Sequence, residues 1–553
     1  MTSSIAVAEL LADLLVNAGA RVAFGVASIH NLPILDALDR RSEIRCVPAR
    51  GEAGAVNMAD GFARSSGTLG VAVTSTGGGA GNACGALIEA LTAGIPLLHI
   101  TGQIESQYLD RERGFIHETK DQHGMLRALS KAAYRVRDHE SLVATVRQAM
   151  CDALSAPMGP VSVEIPIDIQ SAMTATPSPG ETVPVPARAV ASETRELDRI
   201  IEALRAARRA VLWLGGGARG ATAAATRLAD MGIAVVTTQH GRGIVSESHP
   251  MCLGNVIALP AVETFYAGCD ALLIAGSRLR GNETINWKLK LPARRYQIDA
   301  DALVRGRNYQ VDAFALGDAS VLLERIADAL ENERAPDPAF RADVAALKAS
   351  TAAALEKGLG DYNDIVAALV ERIPDDAVWV RDVTIANSMW ANRLPALRHP
   401  GQNVNAVGTG IGQGLPMAIG AALGTTAKTV LVTGDGGLML CLGELATLVQ
   451  ENLDVLVVVM NDGGYGVIRN IQDARFNGRH FLADLAAPSF TDLAKTFGLP
   501  AALARSSADV RRALDRFASV TGPALVEVDM NAVGAYAAVF AGSPVRQATK
   551  ANV

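Results

Sequence analysis

Short apolar strands alternate with helical patterns along almost the whole chain. The strand candidates are LGVAVTST, PLLHITG, PVSVEIP, RAVLWLGGG, IAVVTTQ, ALLIAGS, TVLVTGD, LVVVMN and PALVEVD. Nearly continuous runs of Val, Ile and Leu are typical of strands that are buried on both faces. Strands that alternate with helices form parallel sheets covered by those helices. We therefore expect an α/β protein made of doubly wound parallel sheets.

The chain is too long for a single hydrophobic core, because its 553 residues exceed the size at which cores stop growing. Two stretches interrupt the alternation of strands and helices. The first, Thr174–Ser192, is rich in proline, and the second, near residues 331–344, is charged and contains proline. These breaks predict an N-terminal domain over residues 1–175, a central domain over 190–335 and a C-terminal domain over 355–553.

Charge and composition exclude several classes of protein. The formal net charge of -6 gives no basic surface for nucleic acid. Glu9 and Asp13 interrupt the apolar pattern at the N-terminus, which is typical of an amphipathic helix and not of a signal peptide. No apolar run reaches the roughly 20 residues that cross a bilayer. The six cysteines have no metal-ligand spacing. We expect a cytosolic protein without a nucleic-acid or membrane partner.

Two acidic turns follow two successive strands of the C-terminal domain. Asp435 lies between Gly434 and Gly436, and Asp462 follows the next strand, LVVVM. A right-handed crossover places both turns at the same edge of one sheet, where open α/β folds bind ligands. Neighbouring carboxylates favour a cation between them, and Mg²⁺ commonly adds phosphate oxygens to its shell. A helix that begins near Gly437 would add free N–H groups for an anion. The residues thus predict a magnesium site with a di- or polyphosphate.

This pair of turns resembles the signature of thiamine diphosphate-dependent enzymes, a GDG turn followed by an Asn-rich turn. The resemblance implies that Asp435, Asp462 and the backbone carbonyl of Gly464 bind Mg²⁺. Asparagine is more usual than aspartate at the second of these positions. The resemblance covers nearly the whole chain and implies pyrimidine-binding, central and diphosphate-binding domains in that order. It also implies a homodimer or homotetramer with active sites at the subunit interface.

Glu52 resembles the catalytic glutamate of the same family. It follows the strand IRCVPA and begins the helical stretch AGAVNMADGFARS, in which Ala55, Ala59, Gly61, Ala63 and Arg64 match the family's pattern. The family role is to drive the tautomer of the cofactor's pyrimidine. Gly51 replaces the histidine that usually precedes the glutamate, so any role of that histidine is absent or is taken by another residue.

Other segments resemble the family's cofactor contacts. TSTGGGAGN, at residues 74–82, resembles a loop next to the cofactor, and NAVGTGIGQGLP, at 405–416, resembles the pyrimidine-binding segment. There Ile411 is the apolar wedge that keeps the cofactor bent. RDVTIANSMW, at 381–390, aligns with the diphosphate contacts after a shift of one residue. The cofactor-binding residues implied in this way are Gly77, Gly78, Thr384, Asn387, Thr409, Ile411, Gly434, Gly436 and Gly437.

Within the family, the chain is most similar to acetolactate synthases, benzaldehyde lyase and 2-oxo acid decarboxylases. FGVASIH and the GGG loop are similar to benzaldehyde lyase, which implies that His30 lies over the reacting carbon. His117 stands where acetolactate synthases have a glutamine. Ile471 replaces a tryptophan segment of those synthases, so coupling of two pyruvates is not expected. We expect a lyase, carboligase or decarboxylase acting on a 2-oxo acid or 2-hydroxy ketone, with His30 and His117 in the site.

Two alternatives remain. Gly215-x-Gly217-x-x-Gly220 follows a strand, as in dinucleotide-dependent oxidoreductases, but Gln239 stands where an acid would bind the ribose. The flavin-binding segment of acetolactate synthases is altered here, reading GSRLRGNET at residues 276–284, so FAD is not expected. A catalytically silent regulatory subunit of the same fold is the second alternative, and the presence of Glu52 argues against it.

Overall fold

The computed structural model describes residues 4–178, 180–184, 186–188, 194–334, 337–408 and 410–542. Within them the chain forms three six-stranded sheets, in each of which the neighbouring strands run parallel. Successive strand residues pack into different hydrophobic clusters on the two faces of a sheet, as Leu97 and Leu98 do. The prediction of three doubly wound α/β domains is confirmed. Among the described helices, none is long and apolar enough to cross a membrane.

The N-terminal sheet has the strand order β3-β2-β4-β5-β7-β6, and a separate antiparallel pair joins β1 to β8. Its strands are β1 Ser4–Ala6, β2 Val22–Gly25, β3 Arg45–Pro48, β4 Gly70–Thr74, β5 Leu97–Gln103, β6 Ala132–Arg135, β7 Pro160–Pro166 and β8 Met173–Ala175. Its helices are α1 Val7–Asn17, α2 Leu32–Asp39, α3 Glu52–Ser66, α4 Gly78–Asn82, α5 Cys84–Ala93, α6 Gln122–Leu129, α7 Leu142–Leu154 and α8 Ile167–Ser171.

The central sheet has the strand order β11-β10-β9-β12-β13-β14. Its strands are β9 Ala210–Leu214, β10 Ala234–Thr237, β11 Cys252–Gly254, β12 Ala271–Ala275, β13 Arg295–Asp299 and β14 Ala313–Leu316. Its helices are α9 Thr194–Ala206, α10 Thr222–Asp230, α11 Pro260–Ala267 and α12 Ala319–Leu330. The next helix, α13 (Pro338–Leu359), packs Phe340, Val344 and Leu347 into the same core, so this core extends beyond residue 335. The predicted linker Thr174–Ser192 lies partly outside the described residues.

The C-terminal sheet has the strand order β16-β15-β17-β18-β20-β19. Its strands are β15 Val378–Arg381, β16 Asn403–Asn405, β17 Thr429–Gly434, β18 Val455–Asn461, β19 Ala501–Ala504 and β20 Ala524–Asp529. Its helices are α14 Tyr362–Arg372, α15 Gly414–Leu423, α16 Asp435–Leu440, α17 Glu444–Gln450, α18 Gly466–Phe476, α19 Phe490–Thr496, α20 Ser507–Phe517 and α21 Met530–Val533.

Each six-stranded sheet reverses its strand order near its centre. These central reversals lie between β2 and β4, between β9 and β12, and between β15 and β17. Connections leave such a point in opposite directions, which opens a crevice at the carboxyl ends of the two strands. The residues after β2, β4, β15 and β17 are therefore placed to bind ligands.

The N-terminal and C-terminal domains pack directly on each other within the chain. Helices α3 and α15 cross closely, since a Cβ added at Gly61 would lie 2.1 Å from the carbonyl oxygen of Met417, and one at Gly420 would lie 1.8 Å from that of Met58. Only glycine allows such an approach of two backbones. One hydrophobic core then continues from α3 to α15, which fixes the two domains relative to each other.

Candidate active site

The two acidic turns lie side by side at the carboxyl edge of the C-terminal sheet. Strands β17 and β18 are parallel neighbours, and their register pairs Gly434 with Met460. Asp435 follows Gly434 directly, and Asp462 follows Asn461, the last residue of β18. The structure therefore brings the two predicted metal ligands together.

Asp435 is a buried carboxylate without a partner. Asp435 is 1% exposed, and neither of its side-chain oxygens has a hydrogen-bond partner among the described residues. Burial, and then the negative charge of Asp462, raise the pKa of Asp435 to about 6. A buried carboxylate in this state needs a cation or a proton. The observation fits Mg²⁺, which the donor set of hard oxygens favours.

Carboxylates alone do not complete this site. Across the described residues, no three His, Cys, Asp or Glu side chains converge as a metal-binding group. Mg²⁺ held by Asp435 and Asp462 would take its other ligands from backbone and diphosphate oxygens. The loop that carries Gly464 is fixed for such a role, because Tyr465 donates its N–H to the Ala483 carbonyl at 2.8 Å and Leu485 donates to Gly463 at 3.0 Å.

Arg469 offsets the negative charge of the second carboxylate, Asp462. Its guanidinium lies 3.0 Å from the Asp462 carboxylate and also donates to the Asp462 backbone carbonyl at 2.7 Å. A further contact reaches Asp484 at 3.3 Å. Asp462 stands where the resembling family more often has neutral asparagine, and the positive charge of Arg469 balances the additional negative charge.

The three glycines around Asp435 leave no room for side chains. A Cβ added at Gly434 would meet the Thr384 hydroxyl at 3.0 Å, and one at Gly436 would meet the Tyr465 ring at 2.5 Å. One at Gly437 would meet the Asp382 carboxylate at 2.9 Å.

The helix after this turn differs from the prediction. It begins at Asp435, two residues before Gly437, and it is interrupted between α16 and α17. The interruption lets Glu444 accept the backbone N–H of Arg50 at 3.0 Å, so the chain turns towards the N-terminal domain.

Thr384 and Asn387 lie after β15, the strand next to the one that ends at the acidic turn of Asp435. Both residues are buried, and the side-chain oxygen of Asn387 has no hydrogen-bond partner in the described part of the chain. Asn387 begins a π-helical turn that ends at Ala391. A π-helical turn holds one residue more than an α-helical turn, and such turns are frequent at functional sites.

Ile411 is an apolar side chain left open to solvent in a glycine-rich loop. It is 37% exposed, and the next residue, Gly412, has a φ of +80° that favours glycine. A Cβ at Gly412 would meet Leu440, itself 59% exposed. Thr409, the other predicted pyrimidine contact, lies outside the described residues. The exposed pair of Ile411 and Leu440 is suited to an apolar ligand or partner surface.

Glu52 begins helix α3 in the N-terminal domain. Its carboxylate accepts a hydrogen bond from the Asn82 side chain at 3.1 Å, and a Cβ added at Gly79 would lie 2.7 Å from it. Glu52 is thereby in contact with the loop that follows β4, where Gly77 and Gly78 lie.

His30 and His117 form a pair above this loop. Their Nδ1 atoms are 3.1 Å apart, and their rings meet edge to face with centroids 5.1 Å apart. Burial, and then the charge of His117, lower the pKa of His30, while Glu105 opposes this effect. A Cβ at Gly77 would lie 2.2 Å from the His117 carbonyl oxygen, and His117 itself has a φ of +67°. The structure thus brings together both predicted histidines and the glycine loop that contacts Glu52.

The glycines of the central domain have a packing explanation. Gly215 precedes a short 3₁₀ helix, Gly216–Ala221, and a Cβ added at Gly215 would lie 2.2 Å from the Gly276 carbonyl oxygen. Gly217 donates its N–H to that same carbonyl at 3.0 Å. Gln239 donates to the side chain of Asn392 at 2.5 Å. These contacts explain the glycine pattern as a tight turn between a strand and a helix.

The structure adds residues that the sequence motifs did not indicate. Asp382 and Glu89 accept backbone N–H groups on either side of Ile411, and Arg469 contacts Asp462. Gln122 accepts the N–H of Gly77 at 2.8 Å and so fixes the glycine loop. Asp382 follows β15 directly, so the rule that selected Asp435 (an acid at the carboxyl end of a parallel strand) could have found it. Nothing in the local sequence marks Glu89, Gln122 or Arg469.

Three family models match the chain in the order of its sheets. The N-terminal TPP binding domain of thiamine pyrophosphate enzymes matches residues 5–125, the central domain matches 197–326 and the C-terminal TPP binding domain matches 386–528. Thiamine pyrophosphate is another name for thiamine diphosphate.

Curated relatives extend over most of the chain. The large subunit of acetolactate synthase isozyme 1 of Escherichia coli is 29% identical, covering 95% of this chain and 94% of its own length. An acetolactate synthase of Arthrospira platensis is 30% identical, with coverages of 94% and 93%. A probable 2-ketoarginine decarboxylase of Pseudomonas aeruginosa is 32% identical, with coverages of 84% and 83%.

The chain belongs to the thiamine pyrophosphate enzyme family. The predicted family is thereby confirmed.

Proposed function

We propose that this protein is a thiamine diphosphate- and Mg²⁺-dependent enzyme that makes or breaks the carbon–carbon bond next to a carbonyl group. The observation that carries the metal assignment is the Asp435 carboxylate, buried beside Asp462 with both oxygens unpartnered. Asp435, Asp462 and the carbonyl of Gly464 would hold Mg²⁺, and Thr384 and Asn387 would contact the diphosphate. When bound, thiamine diphosphate supplies the carbon nucleophile and takes up the electrons of the broken bond.

Glu52 is the proposed acid–base residue for the pyrimidine ring. Its carboxylate is half-buried at the start of α3 and is oriented by Asn82. A carboxyl group in that position exchanges a proton with a ring nitrogen, which is general acid–base work. Ile411, exposed in its loop, would pack against the cofactor and keep it bent.

The histidine pair is proposed to move protons at the substrate. Breaking or forming a bond at a carbonyl carbon requires a proton to be given to, or taken from, the carbonyl oxygen or the carbon. Histidine does this near neutral pH. His30 is held by the Ser28 and Gln170 side chains at its backbone, and His117 faces it. Gly51 leaves no histidine before Glu52, which makes this pair the source of protons.

The complete site is proposed to form between two subunits. Glu52 and the glycine loop are on the N-terminal domain, whereas the Asp435–Asp462 pair is on the C-terminal domain. The apolar side chains of Ile411, Met439 and Leu440 are 37%, 38% and 59% exposed. A second copy of the chain would cover these side chains and supply the other half of the site, in a homodimer or a homotetramer.

The proposed substrate is a 2-oxo acid or a 2-hydroxy ketone. The relatives named above are described as acetolactate synthases and as a decarboxylase of a 2-keto acid. Reaction with two pyruvates is not proposed, because Ile471 stands where a tryptophan segment is found in the resembling synthases. Decarboxylation, carboligation and cleavage share the same chemistry at the carbonyl and differ in which group leaves.

The test is turnover that depends on both cofactors. Protein freed of cofactor with a chelator is supplied with thiamine diphosphate, Mg²⁺ or both, and is given panels of 2-oxo acids and acyloins. We expect release of CO₂ or aldehyde, or acyloin formation, only when both are present. Asp435→Asn is expected to abolish that activity, whereas Asp492→Asn, at an exposed helix position paired with Lys495, serves as the matched control. Turnover independent of thiamine diphosphate would refute the proposal.

A further inference from the structure

Two buried carboxylates accept hydrogen bonds on either side of the loop that carries Ile411. Glu89, on helix α5 of the N-terminal domain, accepts the N–H groups of Val407 at 2.7 Å and Gly408 at 2.6 Å. The Glu89 residue is 1% exposed. One oxygen of this carboxylate serves each N–H group, which fixes the orientation of both peptide units.

Arg64 holds Glu89 in that orientation. Its guanidinium donates to Glu89 at 3.0 Å, to Asp60 at 3.0 Å and to the carbonyl of Asn405 at 2.6 Å. Arg64 and both carboxylates are buried, and Arg64 forms an ion pair with each of them. Asp60 belongs to the same ion-pair group but has no hydrogen bond to the loop among the described residues.

Asp382 acts at the other end of the loop. Its carboxylate accepts the N–H groups of Gly412 and Gly414, each at 3.2 Å, together with its neighbour Val383 at 2.7 Å. The residue is fully buried. A Cβ added at Gly414 would lie 2.7 Å from the Asp382 side chain, and one at Gly408 would lie 2.7 Å from Glu89. Glycine at both positions lets the carboxylates approach the backbone.

We propose that Glu89 and Asp382 are positioning residues, which hold the backbone on both sides of Ile411 in the conformation that receives the cofactor. The proposal rests on the assignment of Ile411 to cofactor binding. Glu89 belongs to the N-terminal domain and Asp382 to the C-terminal domain, so both sets of hydrogen bonds form only when these two domains are packed together. A loop ordered in advance binds more tightly, because the apparent affinity falls with the fraction of molecules in the competent conformation.

The first test is hydrogen–deuterium exchange in the full-length protein without cofactor. Glu89→Gln is expected to speed exchange in a peptide that contains residues 407–408, and Asp382→Asn in one that contains 412–414. Asp60→Asn is the matched control, since it removes a carboxylate from the same Arg64 group without touching the loop. Equal exchange in wild type and in both variants would overturn the proposal, and so would an equal increase in Asp60→Asn.

The second test is the affinity for thiamine diphosphate with Mg²⁺, measured by isothermal titration calorimetry. If loss of one carboxylate lowers the ordered fraction to a tenth, Kd rises about tenfold. We expect this rise in Glu89→Gln and Asp382→Asn but not in Asp60→Asn, and faster exchange at unchanged Kd would contradict the role. If Glu89→Gln fails to fold, the exchange and affinity measurements are made with Asp382→Asn alone. If the wild type itself does not bind the cofactor, the proposed function fails, while the exchange experiment still decides whether the carboxylates order the loop.

Discussion

The proposed metal site has a consequence for the stability of the protein in the absence of Mg²⁺. Asp435 is buried beside Asp462, and its pKa is raised to about 6 from an ordinary value of 3.8. The folded protein therefore binds this proton more tightly than the unfolded chain does, and the charged carboxylate lowers the free energy of unfolding as the pH rises from about 4 to 6. The difference between the two values corresponds to about 3 kcal/mol above pH 6.

Asp435→Asn removes this charge with little change of shape. We expect the metal-free variant to be more stable than the wild type by up to about 3 kcal/mol at pH 7.5, and this advantage to disappear towards pH 4. Since 1 kcal/mol shifts the Tm of a 150–250-residue domain by roughly 2–4 °C, the Tm should rise by up to about 6–12 °C. Saturating thiamine diphosphate and Mg²⁺ should reverse the order, because ligand at about 1,000 times Kd adds about 4.1 kcal/mol to the wild type alone.

The assay is thermal unfolding at pH 5 and 7.5, with chelator or with both cofactors. Asp299→Asn is the matched control, because burial also raises the pKa of Asp299 to about 6, at the end of a strand in the central domain. It should stabilise the protein in the same direction with and without Mg²⁺. If Asp435→Asn destabilises the metal-free protein, or if both cofactors stabilise the variant as much as the wild type, the reasoning about the metal site is refuted.

Three further predictions concern the proposed catalytic residues and the carboxylates of Asp435 and Asp462. Glu52→Gln should bind thiamine diphosphate normally but slow exchange of the thiazolium proton by about 10²–10⁴-fold, measured by NMR in deuterium oxide; exchange at the wild-type rate would exclude the role. His117→Gln should raise the pKa of His30, because the repulsion from His117 is removed, and so shift the pH profile of kcat upward; an unchanged profile would separate His30 from the reaction. Arg469→Gln should weaken binding of the diphosphate, and Arg469→Gln with Asp462→Asn should restore it, as measured by calorimetry; if the double variant binds no better than the single one, Arg469 does not balance Asp462.

The alternation of strands and helices was sufficient to predict the three parallel sheets. Every strand segment quoted from the sequence falls on a described strand. Nearly continuous apolar runs of this kind are typical of strands whose two faces are both covered by helices. Helix boundaries were less predictable. The segment after Asp435 has one continuous helical pattern, yet it folds as α16 and α17. The break lets Glu444 form a hydrogen bond with the N-terminal domain, a contact that local sequence cannot show.

The candidate site was predictable where it lies at strand ends. Asp435 and Asp462 are adjacent because the crossover rule and the register of β17 and β18 require it. His30 and His117 are 87 positions apart, and only the resemblance to a known family suggested that both lie in the site. Contacts such as Glu89 with Gly408 join different domains and depend on how α3 packs on α15, which no sequence pattern encodes.

The central claim is that Glu52 of one subunit and the Asp435–Asp462 pair of another form one thiamine diphosphate site. It is tested by mixing Glu52→Gln and Asp435→Asn proteins, each inactive alone, under conditions in which subunits exchange. Random dimers are half heterodimers, each with one intact site of two, so the mixture should regain about a quarter of the wild-type activity. If differently tagged subunits are shown to have exchanged and the mixture remains as inactive as its components, the site is not shared between subunits.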